Sequence, residues 1–392
     1  MEFGFTREEQ SFREEVRAFL RQELPVNWVG SAEEWSGEGW EFVRQMRKKL
    51  AARGWLTMGW PKEYGGMGAS HMTQGVFAEE MSYHRAPGRD IFGVRMLGPT
   101  LMVFGAEEQK RLHLPYIARG ERVWCQGYSE PGTGSDLASL QTRAVEDGDD
   151  FVLNGSKIWT SGAHRADWMF LLARTDPSAP RHKGITFFLM DMKSPGVTVR
   201  PLVNMAGFHS FNQVFFDNVR VPKANIVGEK DKGWYVGMTL LDFERSGMEY
   251  IGVAFRTLDE ISRAAREVTR DGQPLVRDPL VRHKLAEMAV ECQVGRALAY
   301  RVAWLQTKGE VPAAEASAAK VFGSELNQRL ANVGMQILGL YGQLDKESKY
   351  AFLDGIIKTH YLYNVSLTIA GGTSEVQRQV IALRGLGLPR GQ

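Results

Sequence analysis

The chain has 392 residues, 43% of them hydrophobic, so it is long enough to bury a large core and to hold two or three domains. Its 48 basic and 46 acidic residues nearly cancel, and nothing in this balance indicates a nucleic-acid groove or a membrane surface. The only cysteines, Cys125 and Cys292, form no Cys-x-x-Cys pair, which indicates buried thiols in a reducing compartment.

The first third of the chain is predicted to be helical. Thr6 followed by Glu9 is a capping-box pattern, and an apolar stripe then recurs at helical spacing until Pro25. Further helical patterns lie at about 40–53, 73–84, 92–104 and 107–118. The N-terminus has no apolar signal segment, and no later apolar run approaches bilayer length. We therefore expect a soluble cytoplasmic protein whose partners are small molecules or proteins.

The apolar period changes to two between about residues 123 and 221, which predicts a β domain. Ile185, Phe187 and Leu189 alternate with other side chains, as strand residues do. Asn154-Gly155 lies between two such runs and predicts a type I′ hairpin turn.

Helical periodicity returns after Gly233 and continues almost to the C-terminus. Two long apolar stripes predict an antiparallel bundle whose outer faces also pack against other subunits. One stripe consists of Leu285, Met288, Ala289, Cys292 and Ala299, and the other of Leu326, Leu330, Val333 and Ile337.

The stretch from Trp124 to Ser161 carries the residues best suited to bind a ligand. Gly132 and Gly134 allow sharp bends that expose backbone amides, nearby serines add hydroxyl donors, and Trp159 adds a flat surface. These features suit a flat, polar, phosphate-bearing cofactor. The alternative is a simple turn and hairpin rich in glycine and serine. The glycines are not a dinucleotide fingerprint, because the third glycine is missing.

Six short motifs follow one another along the chain. They are Phe104–Lys110, Leu114–Glu121, the loop Ser129-Glu-Pro-Gly-Thr-Gly-Ser-Asp136, Val219–Pro222, Leu241–Arg245 and Gly371–Arg378. Their order resembles the acyl-CoA dehydrogenase family over essentially the whole chain. This resemblance implies an α+β multi-domain fold with an N-terminal all-α domain (1–121), a central β-sheet or barrel domain (122–232) and a C-terminal four-helix bundle (233–392).

The resemblance implies FAD bound without a Rossmann fold, in a crevice between the β domain and the C-terminal bundle. Gln126, Tyr128 and Ser129 would edge the isoalloxazine ring. Trp159 would cover this ring, and Ser161 would hydrogen-bond near the flavin N5. The remaining positions implied are Ser135 near the phosphates or the CoA arm, and Gln336, Gly339, Gly371, Thr373 and Glu375 near the adenine and pyrophosphate, partly across a subunit interface.

Arg270 is a candidate for the arginine that family members direct at the pyrophosphate, although the sequence around it departs from the usual pattern. Each of these matches has a simpler reading. Gln336 would then be a helix-surface amide, and Thr373 an ordinary helix N-cap.

The family's reaction is α,β-desaturation of an acyl-CoA thioester, in which a carboxylate removes the α-proton. Many members place this base just before Gly-Thr-Ser in the C-terminal loop, where this chain has Gly371. A minority, of the isovaleryl- and long-chain type, supply it from a helix of the C-terminal domain, and the matching residue here is Glu244. Arg245 follows it and would help to hold substrate. The alternative for Glu244 and Arg245 is an ordinary charged helix face.

Asp242 and Glu249 are the fallback carboxylates, and Asp242 would also contact substrate together with Ser135. The backbone amide of Gly371 would stabilise the enolate oxygen of the substrate. The missing side chain at Gly371 leaves room, which favours a branched, cyclic or otherwise bulky acyl group.

Three functions remain in competition. The first is an FAD-dependent acyl-CoA dehydrogenase that is a homodimer or homotetramer and passes electrons to an electron-transfer flavoprotein. The second is a flavin-binding subunit of a heterotetramer with a related chain. The third is an acyl-CoA oxidase or flavin monooxygenase on the same fold. His164 and His209 are either ligand contacts or structural histidines. No cluster has metal-ligand spacing.

Overall fold

The computed structural model describes residues 4–30, 37–242 and 247–389. No helix in these ranges is both long and apolar enough to cross a membrane. In chain order the elements are α1 (Arg7–Glu23), α2 (Gly37–Ala52), α3 (His71–Tyr83), α4 (Gly98–Phe104), α5 (Glu107–Ala118), β1 (Trp124–Gly127), β2 (Arg143–Asp147), β3 (Asp150–Lys157), β4 (Trp168–Arg174), β5 (Ile185–Asp191), β6 (Val197–Val203), β7 (His209–Pro222), α6 (Gly233–Asp242), α7 (Met248–Glu267), β8 (Thr269–Arg270), β9 (Gln273–Pro274), α8 (Pro279–Thr307), α9 (Ala313–Leu338), α10 (Ile356–Tyr363) and α11 (Ser374–Val380).

These elements pack into two compact units. The helical unit combines residues 1–31, 70–86 and 245–392, and the sheet unit combines 32–69 and 87–244. Helices α1 and α3 therefore belong to the same unit as the C-terminal helices, although they are distant from them in the chain. The domain boundaries 1–121, 122–232 and 233–392 stay predictions.

The first helix begins where its cap predicts. The Thr6 hydroxyl accepts from the Glu9 amide at 3.1 Å, and the Glu9 carboxylate accepts from the Thr6 amide at 2.8 Å. The capping box thus satisfies two amides that the helix leaves unpaired. The helix then buries Val16, Phe19 and Leu20, which are the apolar positions of its stripe.

The predicted stripes of the long C-terminal helices form the core of the helical unit. Met288 and Cys292 of α8 pack in the same buried cluster as Leu330 and Ile337 of α9. Helix α7 adds Ile251 and other apolar residues to this cluster. Both cysteines are buried free thiols, as their sequence context predicts.

The sheet unit is built on one curled, seven-stranded sheet. Its order is β1-β4-β2-β3-β7-β6, and β5 pairs with β4 off this path. Strand β1 runs parallel to β4, and β5 runs antiparallel to it. Phe170 of β4 stacks on Phe187 of β5 with ring centroids 5.9 Å apart. The strand predicted from Ile185, Phe187 and Leu189 is present as β5.

The hairpin predicted at Asn154-Gly155 is wrong. The hairpin between β2 and β3 turns at residues 148–149, because Asp147 pairs with Asp150. Asn154-Gly155 instead lies inside β3, where its register with β7 shifts. A Cβ on Gly155 would lie 2.8 Å from the Thr142 Cα, so the backbone approaches too closely for a side chain. Asn-Gly suits such an irregularity for the same conformational reason that it suits a turn.

Candidate functional site

Two segments of the Trp124–Ser161 stretch lie side by side in the sheet unit. The first follows β1 and contains Tyr128 and Ser129, and the second follows β3 and contains Ile158 to Ser161. The Ile158 amide donates to the Ser129 carbonyl at 2.9 Å, which ties the two segments together. Residues that are about 30 positions apart in the chain thus form one local surface.

The glycine-rich loop beside these segments is open to solvent. Glu130 and Thr133 exchange two backbone hydrogen bonds of 2.9 Å, which closes a tight turn. A Cβ on Gly132 or Gly134 would meet no atom within 4 Å. The buried Thr133 hydroxyl has no hydrogen-bond partner among the described residues. The loop therefore offers free space and an unused polar group.

Trp159 is held in a strained and exposed conformation. Its φ is +58°, which a non-glycine residue rarely adopts, and 60% of its surface is exposed. The backbone on either side is fixed, because Ile158 bonds to Ser129 and Thr160 exchanges backbone hydrogen bonds with Asn212. Left-handed strain of about 1–2 kcal/mol persists only where neighbouring contacts impose it. The structure therefore fixes a large aromatic ring at the surface.

A buried ion pair lies behind the two segments. The Lys157 ammonium donates to the Glu130 carboxylate at 2.8 Å and to the Tyr128 carbonyl at 3.1 Å. The same carboxylate accepts from the amides of Gln141 and Thr142. Burial lowers the pKa of Lys157 to about 8, although the carboxylate opposes this. Burial raises the pKa of Glu130, but the charge of Lys157 and the hydrogen-bond donors outweigh that effect and the net shift is downward.

The other predicted flavin contacts in the sheet unit differ in what they offer. Gln126 is half-buried, with its amide nitrogen 3.9 Å from the Met96 sulfur. Tyr128 is buried, its hydroxyl donates to the Gly237 carbonyl at 3.5 Å, and its own carbonyl accepts from Lys157. Burial raises the pKa of Tyr128. Ser135 is exposed and Ser161 is half-buried.

The predicted C-terminal loop lies in the helical unit. Gly371 and Gly372 have φ values of +64° and +87°. Two buried side chains hold their carbonyls: Gln377 donates to Gly371 at 2.9 Å, and Lys320 donates to Gly372 at 2.8 Å. The loop is therefore fixed although it consists of glycines. Thr373 caps the next helix by accepting from the Val376 amide, as the simpler reading of this residue predicts.

The remaining predicted contacts of the helical unit are spread over three elements. Gln336 is exposed on α9, and Gly339 follows the end of that helix with a φ of +58°. Arg270 is exposed on β8 and pairs with Gln273 in a short hairpin. Glu375 is exposed in the first turn of α11, where hydrogen bonds from its own backbone amide and from Thr373 lower its pKa. Their roles stay predictions.

Most of the predicted catalytic residues fall outside the described part of the chain. Glu244 and Arg245 lie outside the described residues, and so does the side chain of Asp242 at the end of α6. Glu249, the other fallback carboxylate, is half-buried in the first turn of α7.

His164 and His209 lie against each other in the sheet unit. Their rings stack with centroids 4.1 Å apart. The Asn212 side chain contacts His209 at 2.8 Å and His164 at 3.1 Å, and its amide also donates to the Thr160 carbonyl. The imidazoles thus support the segment that carries Trp159.

Several polar groups of these surfaces were not predicted from the sequence. The buried Thr160 hydroxyl, like that of Thr133, has no partner among the described residues. The pair of Lys157 and Glu130 was also missed, because partners 27 residues apart leave no periodic signal. A lysine between the apolar strand residues and Ile158-Trp159 was the available hint.

Three family models cover most of the chain. They describe the N-terminal, middle and C-terminal domains of acyl-CoA dehydrogenases and match residues 6–121, 125–219 and 231–386. The acyl-CoA dehydrogenase IpdE1 of Mycobacterium tuberculosis is 37% identical over 389 residues, which covers 96% of this chain and 98% of that protein.

Two solved structures are similar over the full length of both chains. The Tcur3481-Tcur3483 steroid ACAD has 36% identity and a TM-score of 0.91. The ChsE4-ChsE5 complex from Mycobacterium tuberculosis has 36% identity and a TM-score of 0.90. Each aligned pair covers 100% of both chains.

The three family-model matches, together with a mixed sheet that has helices before and after it in the chain, identify a flavoprotein oxidoreductase. The chain belongs to the acyl-CoA dehydrogenase family, whose members depend on FAD. The sheet-unit surface fits this cofactor, because it offers an exposed indole, an open glycine loop and two buried hydroxyls that have no partner within the described part of the chain. When bound, FAD supplies the acceptor for a hydride.

Proposed function

We propose that the chain catalyses α,β-dehydrogenation of an acyl-CoA thioester with a bulky, ring-containing acyl group, and that its electrons pass to an electron-transfer flavoprotein. The substrate class is supported by full-length similarity to a steroid enzyme, and by a glycine at the loop position where many family members carry a glutamate.

The open space beside Gly371 is the observation that best supports a bulky acyl group. Gly371 is exposed, and a Cβ built on it would meet no atom within 4 Å. The bonds from Gln377 and Lys320 fix the loop, so the space beside Gly371 is not filled by collapse of the backbone. A rigid acyl group needs space of this kind, because it cannot bend away from a side chain.

The proposed base is Glu244, on the residue-by-residue match to the minority pattern of the family. Its carboxylate would remove the α-proton, and exclusion of water by bound substrate would raise its pKa for this task. The Gly371 amide would donate to the developing enolate oxygen. Arg245 and Asp242 would contact substrate.

The proposed assembly is an oligomer, either of identical chains or with a related chain. Two observations support it. Both similar structures carry names of two different chains. The helical unit also exposes large apolar side chains that an interface would bury. Among them are Leu280, Val290, Leu340, Ile369 and Leu386, with 60–81% of their surface exposed.

Anaerobic bleaching of the bound flavin by a panel of thioesters tests the substrate class. Steroid-side-chain and other ring-containing acyl-CoAs are expected to bleach it, and straight-chain acyl-CoAs to do so poorly. Preferential bleaching by straight chains contradicts the proposal. Oxygen consumption during turnover, without need for an added electron acceptor, would identify an oxidase instead.

Glu244→Gln tests the base. It is expected to keep bound flavin and to lose reduction by at least about a thousandfold, a typical loss when an acid–base group is removed. The exposed Asp259→Asn is a matched control on α7. Loss in Glu249→Gln but not in Glu244→Gln would move the base to Glu249.

Native mass and FAD content per chain distinguish the homo-oligomer from a subunit that needs a related partner.

A further inference from the structure

Lys157 carries a buried positive charge, and the proposed reaction gives this residue no role. It ends β3, none of its surface is exposed, and its ammonium contacts one carboxylate and one backbone carbonyl. Glu130 is also buried and receives two further backbone hydrogen bonds. All of these contacts lie within the sheet unit.

Stability alone gives a weak reason for such a pair. Removing two charges from water costs several kcal/mol per ion, and apolar residues of similar volume often replace a buried pair with no loss of stability. The backbone groups that the pair holds in place are therefore a better guide to its role than its contribution to stability. A methionine at this position would fill nearly the same volume but could not donate a hydrogen bond.

The ammonium holds the backbone of both segments that face the ligand surface. It pulls the Tyr128 carbonyl inward, and because the peptide is trans, the Ser129 amide is directed the opposite way. The next residue along, Ile158, bonds to the Ser129 carbonyl at 2.9 Å. Trp159, with its left-handed backbone, follows directly.

Trp159 is thus fixed from two sides. Lys157 and Ile158 anchor the chain before it, and Asn212 anchors Thr160 after it. Strain of this kind needs surroundings that impose it, and a cross-link between the two segments meets that need.

We propose that Lys157, paired with Glu130, is a positioning residue for the flavin: it sets the Ser129 amide and the Trp159 ring where FAD meets them. The inference rests on the family's use of FAD and on the expected contacts of residues 126–129 and 159–161. It does not depend on the acyl group proposed above.

The test compares Lys157→Met, Glu130→Gln and the double variant with wild-type protein. The dissociation constant of FAD is measured by fluorescence titration of the apoprotein, and the visible circular dichroism of bound FAD reports its surroundings. The helical-unit variant Glu260→Gln is a matched control, because it also removes a charge from a buried ion pair, here with Arg85. Thermal unfolding is recorded for every variant.

Lys157→Met is expected to weaken FAD binding about tenfold or more and to change the visible dichroism, in line with loss of a charged hydrogen bond. Glu130→Gln keeps the lysine and should lose less. The double variant buries no unpaired charge, so it should fold well and still show the lysine effect. Glu260→Gln should lose stability but keep the wild-type dichroism.

Wild-type affinity and dichroism in the double variant would overturn the inference while leaving the proposed reaction intact. An equal change in Glu260→Gln would also overturn it, since the effect would then follow stability alone. Failure of the wild-type protein to be reduced by any thioester would instead count against the proposed function, not against this inference.

Discussion

Substituting the two glycines of the C-terminal loop tests how that loop is built. Gly371 and Gly372 both have left-handed backbones, so alanine should cost each about 1–2 kcal/mol. The two sites differ in how much room they leave for a Cβ atom. A Cβ on Gly371 meets no atom within 4 Å, whereas a Cβ on Gly372 would lie 2.6 Å from the Gln377 side-chain nitrogen.

That nitrogen cannot move freely. Gln377 is buried, with 1% of its surface exposed, and the same nitrogen donates to the Gly371 carbonyl at 2.9 Å. Shifting it loses a hydrogen bond worth about 1 kcal/mol and disturbs a packed site, which costs about 1–3 kcal/mol more. Gly372→Ala should therefore cost about 2 kcal/mol or more beyond Gly371→Ala.

Thermal unfolding followed by far-UV circular dichroism measures this difference. For domains of about 150–250 residues, each kcal/mol shifts Tm by about 2–4 °C, so the two variants should separate clearly. Equal Tm values, or a lower Tm for Gly371→Ala, would refute the account of the loop. In turnover assays, Gly371→Ala should raise KM more for ring-containing than for straight-chain thioesters if the space receives the acyl group.

Three further predictions follow from buried or strained groups. Glu260→Gln should cost about 3–5 kcal/mol, because it leaves Arg85 as an uncompensated buried charge. The exposed Asp259 accepts a hydrogen bond from the Tyr83 hydroxyl, which an asparagine oxygen can still accept, so Asp259→Asn should cost under about 1 kcal/mol. Equal urea midpoints would contradict this. Burial lowers the pKa of His360 to about 3 from 6.5, so the folded state resists its protonation and stability falls as pH drops from 6.5 toward 3, by about 1.4 kcal/mol per pH unit. His360→Gln should flatten this slope in Tm measured against pH, and an unchanged slope would assign the acid sensitivity to other groups. Trp159→Ala should change Tm by only a few degrees, because the ring is 60% exposed, but should weaken FAD retention and alter the flavin spectrum; an unchanged spectrum would contradict its predicted contact with the flavin.

Some features of this protein follow from the sequence because their causes are local. Thr6 and Glu9 of the capping box are three residues apart. Successive residues of each apolar stripe in α8 and α9 are likewise only a few positions apart, so spacing alone predicts these features. The six family motifs can also be recognised from the sequence, because each is a short contiguous segment and their order along the chain is visible. The α–β–α order and the family were therefore predictable from sequence.

Other features depend on which distant segments meet. Asn154-Gly155 was predicted as a hairpin, but the close approach of Thr142 makes it an irregularity within β3. Lys157 has the same sequence neighbours whether it is exposed or buried, and only the fold brings Glu130 to it.

The grouping of α1 and α3 with the C-terminal helices was decided in the same way. The periodicity of apolar residues shows which face of a helix is buried, but it does not show which other helix packs against that face. Sequence therefore determined the elements and the chemistry they carry. The tertiary structure alone decided the partners of each buried polar group, because those free energies arise between residues far apart in the chain.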